Sequence, residues 1–459
     1  MFLPPISLRA RLGRLPVSLV ALDYRSEVTT AFCRLFVWTT ITVEAIPEAF
    51  ALLFHWQGLA AHRKLSHQDW GVIMMRNLIA GHRRSTWSLT AALVVLAGAM
   101  TGTAQATTAG PVDLGTLPGD DDSTVLAVNE SGVMVGLSLA GPTPQRSRPA
   151  RWDANGQIMA LPTPGGTEGQ VGDVNSHGVS AGYVLTPTAA IPTRWDADGT
   201  ATALQLAPGY HNATAWAISD TGVVVGNWLT PDNQYHAFRW DPDGQAIDLG
   251  ALPGETWSMV NDISADGSVI VGSAVRAGAG RAVRWVDGGP ITELAPLSWS
   301  SGAHVINKHG VIAGSKREAS SGPAVPATWD RNGTIHPMQW TSPHSVWVYH
   351  IGSTGYVVGS GYANPPRRQA VLWDPAGNLT VLPDGNLGAD AEAVNASGTA
   401  VGTFQNQATA WFRNGERRQL GKLPGGNRGQ AYRITDGGRV VGTAATATGK
   451  THAVYWTLG

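Results

Sequence analysis

The sequence predicts an all-β protein built from eight copies of one short unit. Three observations lead to this prediction: a tryptophan that recurs at nearly constant spacing, glycines that recur in register with it, and a composition rich in turn-forming residues. The chain has 459 residues, with 56 glycines, 28 prolines and 18 tryptophans, and only 14% of the residues are charged. Abundant glycine and proline with scattered aromatic residues are typical of many short strands joined by turns.

The repeat fills the chain after Ala106 and is clearest in residues 217–254, where an SDTG turn, a polar loop and a DPDG turn separate three apolar runs. One tryptophan ends the third apolar run of each unit, at spacings of 38 to 45 residues. These anchor tryptophans are Trp152, Trp195, Trp240, Trp285, Trp329, Trp373, Trp411 and Trp456. The turn glycines are Gly132, Gly178, Gly222, Gly267, Gly310, Gly355, Gly398 and Gly438.

Each unit reads as four strands. The first strand ends in a β-branched residue such as Ile218, and the turn glycine that follows supplies the positive φ that a Cβ disfavours. The second strand contains pairs such as Val224-Val225, the third ends at the tryptophan, and the fourth contains a leucine such as Leu249. About 44 residues and four short strands match one blade of a β-propeller. The sequence therefore predicts an eight-bladed β-propeller of four-stranded blades.

The two ends of the repeat region predict that the ring is closed. The last unit stops after Trp456 without a fourth strand, whereas residues 112–119 precede the first unit and match the fourth strand at 248–254. We therefore expect the mature N-terminal strand to complete the C-terminal blade, because this pairing leaves no open sheet edge.

Residues 74–106 read as a secretory signal peptide. Basic residues including Arg83 and Arg84 precede an apolar stretch at 89–100, and Ala104-Gln105-Ala106 is a small-x-small cleavage site. The general secretory and twin-arginine export routes both stay open. We interpret residues 1–73 as upstream sequence included in error, with a disordered leader as the alternative. The exported propeller then spans residues 107–459.

The same features predict a secreted, extracellular bacterial protein without a stable membrane anchor, because no lipid-attachment cysteine follows the cleavage site and no apolar run ends the chain. The only cysteine, Cys33, precedes the repeats, which excludes a disulfide framework or a zinc cluster in them. A formal net charge of −1 gives no sign of nucleic-acid binding. We expect a monomer without metal or cofactor.

The repeat resembles the HAF-repeat family of predicted extracellular bacterial proteins. The resemblance rests on the run from an N-x-x-G turn through VVG to HAFRW and DLGALPG, and it covers about 350 residues from Val112 onward. The triplet is complete at His236-Ala237-Phe238 and decays elsewhere, for example to His452-Ala453-Val454. The resemblance implies a secreted repeat protein of poorly defined role and names no reaction.

Function on a propeller is expected in variable loops on the rigid scaffold. The connections between the second and third strands and between successive units are the long ones, for example Leu137–Ser147, Asn227–Gln234, Lys316–Ala324 and Ser298–Ala303. Aromatic residues near these connections could stack on sugar rings or on apolar partner residues. They are Tyr210, Trp216, Trp228, Tyr235, Trp257, Trp299, Trp340, Trp347 and Tyr349, of which Trp216, Trp228, Trp257, Trp299 and Trp340 are the predicted binding residues.

Polar residues placed at the start of the first strands are expected near a mouth of the central channel. These are Asp173, Asp262, His304, His350, Glu392 and Arg433. Of these, Asp262, His304, His350 and Glu392 complete the predicted ligand-binding set. The first hypothesis is a non-enzymatic module that binds an extracellular polysaccharide or protein. The alternative is a glycan hydrolase or lyase that uses channel carboxylates.

Overall fold

The structure, a computed structural model, describes residues 42–44, 86–88, 110–141, 146–206, 212–230, 234–296, 298–364, 367–384 and 387–459. The chain divides into two compact units, Met1–Gln105 and Ala106–Gly459. In the first unit, strand Thr42–Glu44 pairs antiparallel with strand Thr86–Ser88. The rest of the predicted leader and signal peptide lies outside the described residues.

The second unit contains eight four-stranded antiparallel sheets, numbered here as blades 1 to 8. The first strands are Asp122–Val128, Glu168–Val174, Asn212–Ile218, Ser258–Ile263, Ser300–Ile306, Val346–Ile351, Ala389–Val394 and Gly429–Ile434. The second strands are Met134–Ala140, Ser180–Leu185, Val224–Leu229, Val269–Arg276, Ile312–Arg317, Val357–Asn364, Ala400–Phe404 and Arg439–Ala445. The third strands are Arg146–Trp152, Ala190–Trp195, Tyr235–Trp240, Ala279–Val286, Val325–Trp329, Arg367–Trp373, Gln407–Trp411 and Thr451–Thr457. The fourth strands are Ile158–Ala160, Ala201–Ala203, Ala246–Asp248, Thr292–Glu293, Ile335–Pro337, Leu379–Val381, Arg417–Gln419 and, for blade 8, Val112–Asp113.

The blades form a closed ring. Each first strand contacts the first strand of the next blade, and the first strand of blade 8 contacts that of blade 1. The first strands therefore surround a central channel, and the fourth strands lie at the outer rim. The predicted eight-bladed β-propeller is confirmed.

The N-terminal strand completes the last blade, as the sequence predicted. Val112 lies opposite Tyr455, and Asp113 lies opposite Val454. The backbone N–H of Leu114 donates to the carbonyl oxygen of Ala453 at 3.0 Å. No edge of the third strand of blade 8 is left open along this pairing.

The anchor tryptophans hold neighbouring blades together. All eight side chains are at most 1% exposed. In seven of them the indole N–H donates to a backbone carbonyl near the fourth strand of the preceding blade, at 2.7 to 3.1 Å. Trp456 is equally buried, and within the described residues its indole nitrogen has no hydrogen-bond partner. These side chains thus combine apolar burial at every interface with a directional bond across seven of the eight.

The connections between second and third strands are shorter than the sequence suggested. Most of the predicted loop Leu137–Ser147 belongs to the strands Met134–Ala140 and Arg146–Trp152, and blades 4 and 7 have two-residue hairpins at Ala277-Gly278 and Gln405-Asn406. Strands pair through their main-chain groups, so a strand can continue through polar residues. Hydropathy gives no sign of this continuation, and the predicted loops were therefore too long.

Candidate functional site

The two ends of the ring differ in their connections. One end carries the tight glycine turns between the first and second and between the third and fourth strands. The other end, called here the loop face, carries the second-to-third connections and the links from one blade to the next. The loop face holds a cavity of about 590 Å³ bounded by blades 4, 5 and 6, which we call the loop-face cleft. Its volume lies in the range of small-molecule sites.

Two exposed tryptophans line the loop-face cleft. Trp299 is 44% exposed and Trp347 is 41% exposed, values far above those of the buried anchor tryptophans. Trp299 follows the link from blade 4 into blade 5, and Trp347 is the second residue of the first strand of blade 6. A large indole in contact with water has not gained the free energy of burial. Exposed aromatic residues that cluster are therefore typical of binding surfaces, where a ligand buries them.

The backbone of Trp299 is held in place while its indole is partly exposed to solvent. Its N–H donates to the carbonyl oxygen of Arg317 at 2.8 Å. Its carbonyl accepts a hydrogen bond from Nη1 of Arg281 at 2.9 Å. The indole is therefore presented from a fixed position, which lowers the ordering cost of binding.

Trp347 is positioned by its neighbours. Tyr362 meets it edge-to-face with ring centroids 5.7 Å apart. The guanidinium carbon of Arg368 lies 5.8 Å from the centre of the indole, within cation–π range. Arg368 also forms an ion pair with Asp390 of blade 7 at 2.8 Å. The sequence did not single out Tyr362 or Arg368, because their role depends on strand pairing.

Polar groups accompany the aromatic residues in the cleft. Lys316, His344 and His304 line it together with serine and glycine backbone. Burial lowers the pKa of His304 below its usual value, so its imidazole is neutral at pH 7. Its Nδ1 lies 3.2 Å from the carbonyl oxygen of Val348, which makes Nδ1 the protonated nitrogen. Aromatic faces beside hydrogen-bonding groups match the apolar and hydroxyl surfaces of a sugar ring.

Two other predicted binding tryptophans have structural partners. Trp228 is fully buried and packs against Phe238 with ring centroids 4.1 Å apart, so its prediction as an exposed binding residue was wrong. It lies within the second strand and points to the same side as Val224, into the core between blades. Trp340 is half-buried, donates its indole N–H to the carbonyl of His344 at 2.7 Å and packs near Trp373.

Trp257 and Trp216 lie away from the loop-face cleft. Trp257 is half-buried just before the first strand of blade 4. Trp216 is 40% exposed on the first strand of blade 3 and meets Tyr183 edge-to-face at 5.9 Å. Because that strand is the innermost of its blade, Trp216 is exposed to the channel.

A β-bulge interrupts every first strand close to its end. The extra residue of a bulge is unpaired, and its side chain is re-aimed. The bulge residues are Leu126, Gly172, Trp216, Asn261, His304, Tyr349, Glu392 and Tyr432. None is buried, and the channel is the open space beside an innermost strand. At the bulge positions, the side chains of blades 1 to 3 therefore carry no polar group except the indole N–H of Trp216, whereas those of blades 4 to 8 all carry a polar group.

The predicted channel residues lie at the ends of the first strands and not at their starts, so this placement was wrong. Asp262, for example, is the second-to-last residue of Ser258–Ile263, and His350 holds the same position in Val346–Ile351. Each predicted polar residue is either the bulge residue of its strand, as His304 and Glu392 are, or the residue after it, as Asp262 is. A bulge leaves no signature in residue types, so the sequence did not reveal these positions. The residues in the second-to-last position, Asp173, Asp262, His350 and Arg433, consequently lie nearer the tight-turn end of the channel.

Asp173, Asp262 and His350 join neighbouring blades. One carboxylate oxygen of Asp262 accepts the N–H of Ile263 at 2.8 Å, and the other accepts that of Ile306 in blade 5 at 2.9 Å. Asp173 bonds Val174 and Ile218 in the same way. Their carboxylates are thus occupied by main-chain donors.

Burial sets the ionisation of these three groups. It raises the pKa of Asp262 to about 7 against the opposing effect of its two backbone hydrogen bonds, and it raises the pKa of Asp173. Burial together with nearby Arg433 lowers the pKa of His350 to about 3. The neutral imidazole of His350 accepts the N–H of Val394 in blade 7 at 3.3 Å. The arrangement is a structural one that ties blades 2, 4 and 6 each to the blade that follows.

Glu392 differs from these carboxyl groups. It is the bulge residue of blade 7, half-buried, and burial together with nearby Asp390 raises its pKa above the usual value. Asp390 is held by Arg368 and by a hydrogen bond from Ser360 at 2.6 Å. Glu392 therefore offers a carboxyl group to the channel beside a fixed polar network.

No family model matches the chain, and no curated protein matches it. Solved structures are similar at low identity. The Dos1 propeller shares 11% identity, with 76% of this chain and 95% of that chain covered and a TM-score of 0.47. TolB from Acinetobacter baumannii shares 11% identity over 71% of this chain and 80% of its own, with a TM-score of 0.35. An oligogalacturonate lyase in complex with manganese shares 12% identity over 72% of this chain and 99% of its own, with a TM-score of 0.41. Similarity at this level gives no information about the activity of this chain.

Two further findings concern the part of the chain that the structure describes. It contains no helix long and apolar enough to cross a membrane. It brings together no group of three or more histidine, cysteine, aspartate or glutamate side chains in metal-binding geometry.

Proposed function

We propose that this protein is a secreted propeller that binds an extracellular polysaccharide through the loop-face cleft. The observation that carries the proposal is the pair Trp299 and Trp347, two exposed indoles that line one cavity of about 590 Å³. The fixed backbone of Trp299 and the packed side chain of Trp347 support it, because a pre-arranged aromatic surface loses little entropy on binding. The signal-peptide pattern and the resemblance to HAF-repeat proteins support an extracellular location.

A polysaccharide accounts for the composition of the cleft better than a protein ligand does. Protein interfaces draw their affinity from a desolvated core of aromatic anchors, which needs a larger continuous surface. Here the two indoles stand among serine and glycine backbone, Lys316 and His344. Each of these groups can form a hydrogen bond with a single hydroxyl of a sugar.

A second candidate function, glycan cleavage, is favoured by one observation. Glu392 is a half-buried carboxyl group with a raised pKa that faces the channel, and a raised pKa suits a general acid. The other channel carboxylates, Asp173 and Asp262, are engaged by backbone N–H groups and are poor candidates.

A glycan array and a glycan-release assay on the purified protein separate these functions. Binding without released product, lost in Trp299→Ala and Trp347→Ala, supports the binding module. Tyr235→Ala is a matched control, because this residue is also 44% exposed at the loop-face end of blade 3 but lies outside the cleft. Product release that Glu392→Gln abolishes would support the enzyme. Binding of peptides in place of glycans would contradict the polysaccharide proposal.

A further inference from the structure

The loop face carries a second cavity on the other side of blade 7. It has a volume of about 530 Å³ and lies where blade 8 meets blade 1, and we call it the seam cavity. Its polar lining includes Asp122, Asn406, Arg428, Gln430 and Tyr432. Tyr432 is the bulge residue of blade 8, and the others come from the starts of first strands and from the hairpin of blade 7, so the seam cavity opens on the same face as the loop-face cleft.

The side chains of the seam cavity are already ordered. The hydroxyl of Tyr432 donates to the side-chain oxygen of Gln430 at 2.7 Å. Nη2 of Arg428 lies 3.2 Å from the hydroxyl of Thr451, and the backbone N–H of Thr451 donates to the carboxylate of Asp122 at 2.6 Å. One phenol ring and several hydrogen-bonding groups give this cavity the same kind of surface as the loop-face cleft.

Blade 7 separates the two cavities, and its connection at the loop face is short. Its second and third strands are joined by two residues, Gln405 and Asn406, which adopt φ of 50° and 60° in a tight hairpin. Blade 5, by comparison, connects its second and third strands through residues 318–324. A short hairpin leaves the inner side of the blade open between its neighbours.

Corresponding positions of three first strands continue the polar surface across blade 7. Trp347, Asp390 and Gln430 lie two residues before the bulge residues Tyr349, Glu392 and Tyr432. Arg368 connects the first two of these positions, because it stacks over Trp347 and pairs with Asp390. The lining therefore runs from the loop-face cleft through the inner edge of blade 7 to the seam cavity.

We infer that the two cavities are subsites of one groove that binds a linear, uncharged polysaccharide long enough to occupy both. This inference rests on the proposed glycan-binding function. The middle of the groove carries two carboxyl groups, Asp390 and Glu392, and two cations, Arg368 and Arg433, with Arg368 paired to Asp390. No net positive charge is left at this point to attract an acidic polymer, which favours an uncharged ligand.

Two joined subsites have a measurable consequence. Once a chain is bound in one subsite, its free end samples the other at high effective concentration, so affinity rises with chain length without new kinds of contact. A single subsite gives an affinity that stops rising once that cavity is filled. The dependence of affinity on chain length therefore distinguishes one subsite from two.

The experiment is isothermal titration of the full protein with cello-, malto-, xylo- and N-acetylchito-oligosaccharides from dimer to octamer, and with polygalacturonate. We expect the octamer of the bound series to exceed the dimer in affinity by at least about tenfold. Arg428→Ala and Gln430→Ala should remove this gain and leave dimer affinity unchanged, whereas Trp347→Ala should weaken both. Glu168→Ala is the matched control, since it alters a separate loop-face cavity at blade 2 and should change neither.

Each remaining outcome is decisive. Equal affinity for dimer and octamer, or a gain that survives both seam-cavity variants with unchanged melting temperature, would overturn the two-subsite groove and leave the single-cleft function standing. A preference for polygalacturonate would overturn the uncharged ligand. Failure of all the oligosaccharides to bind the wild-type protein would instead overturn the proposed function itself.

Discussion

At the scale of single residues, the anchor tryptophans and the cleft tryptophans differ in what surrounds them. Trp240 is fully buried and donates its indole N–H to the carbonyl of Gln205 in the preceding blade at 2.8 Å. Trp299 is 44% exposed and is held through its backbone. Tryptophan therefore has a structural role at position 240, whereas at position 299 its side chain is accessible to a ligand.

We expect Trp240→Ala to lower the free energy of unfolding by roughly 3–5 kcal/mol, because it removes a buried indole and leaves a cavity. Trp299→Ala should change it by less than about 0.5 kcal/mol, as exposed substitutions do. Denaturant unfolding of both variants measures the difference. Equal destabilisation would show that the division into anchor and cleft tryptophans is wrong.

Asp262 predicts a pH dependence of stability. Its pKa in the fold is about 7, above the ordinary value of 3.8, so between these values the folded state keeps a proton that the unfolded state has released. The stabilisation is complete below about pH 4 and is lost as the pH rises to about 7, a change on the order of 4 kcal/mol.

Urea unfolding from pH 4 to pH 8 measures this contribution. Asp262→Asn should flatten the profile in this window, since the amide does not titrate, and should also lose one acceptor for the two backbone N–H groups. Asp287→Asn, at an exposed aspartate, is the control and should keep the wild-type profile. If the free energy of unfolding of Asp262→Asn depended on pH as steeply as that of the wild type, the raised pKa of Asp262 would be contradicted.

At the scale of strands, residues of the HAF and DLG motifs join the third strand to the fourth. Nδ1 of His236 lies 3.1 Å from the carboxylate of Asp248 within blade 3. Nδ1 of His452 lies 2.9 Å from that of Asp113 across the closing pair of blade 8. Such partly exposed pairs add little energy, but they recur where the outermost strand must be held in register.

Deleting residues 107–118 from the chain should destabilise the propeller and promote aggregation. The deletion removes the strand paired with Val454 and Tyr455 and the buried side chains of Leu114 and Leu117. An open strand edge then faces solvent. Light scattering and thermal unfolding measure both effects, with deletion of residues 1–106 as the control that should produce neither. A stable, monomeric 107–118 deletion would contradict the role of this strand.

Sequence reasoning was most successful where one residue type has one physical use. Tryptophan at constant spacing and glycine at positive φ predicted the number of blades and the turns, and the match of residues 112–119 to 248–254 predicted the closing strand. It failed for Trp228, whose burial follows from the continuation of the second strand past its apolar start, although alternation with Val224 and Gly226 was a usable signal. It also failed for the position of Asp262, because no residue pattern reports a bulge. Tyr362 and Arg368 acquire their roles only through pairing with distant residues.

At the scale of the whole molecule, the signal-peptide pattern at 74–106 predicts the product that leaves the cell. We expect the exported protein to begin near Thr107, because Ala104-Gln105-Ala106 is the predicted cleavage site. N-terminal sequencing of secreted protein measures this directly. Peptides from residues 1–73 in the secreted material would contradict both the start site and the cleavage site.

The eight blades form a closed ring, and one face of it carries the proposed ligand groove. Tryptophans are buried at every interface between blades, Asp173 and Asp262 each bond the next blade, and the closing strand completes blade 8. These contacts hold the blades that carry the loops. Blades 4 to 6 can then present Trp299 and Trp347 as one surface before any ligand arrives. The central claim is that this surface is where the ligand binds.

The most direct test is a crystal structure of the protein soaked with the oligosaccharide that binds it most tightly. The claim predicts electron density for sugar rings against Trp299 and Trp347, continuing toward Glu392 and Tyr432 for the longer oligosaccharides. Density for the sugar at the tight-turn end of the ring, or at the outer rim with the loop-face cleft empty, would contradict it.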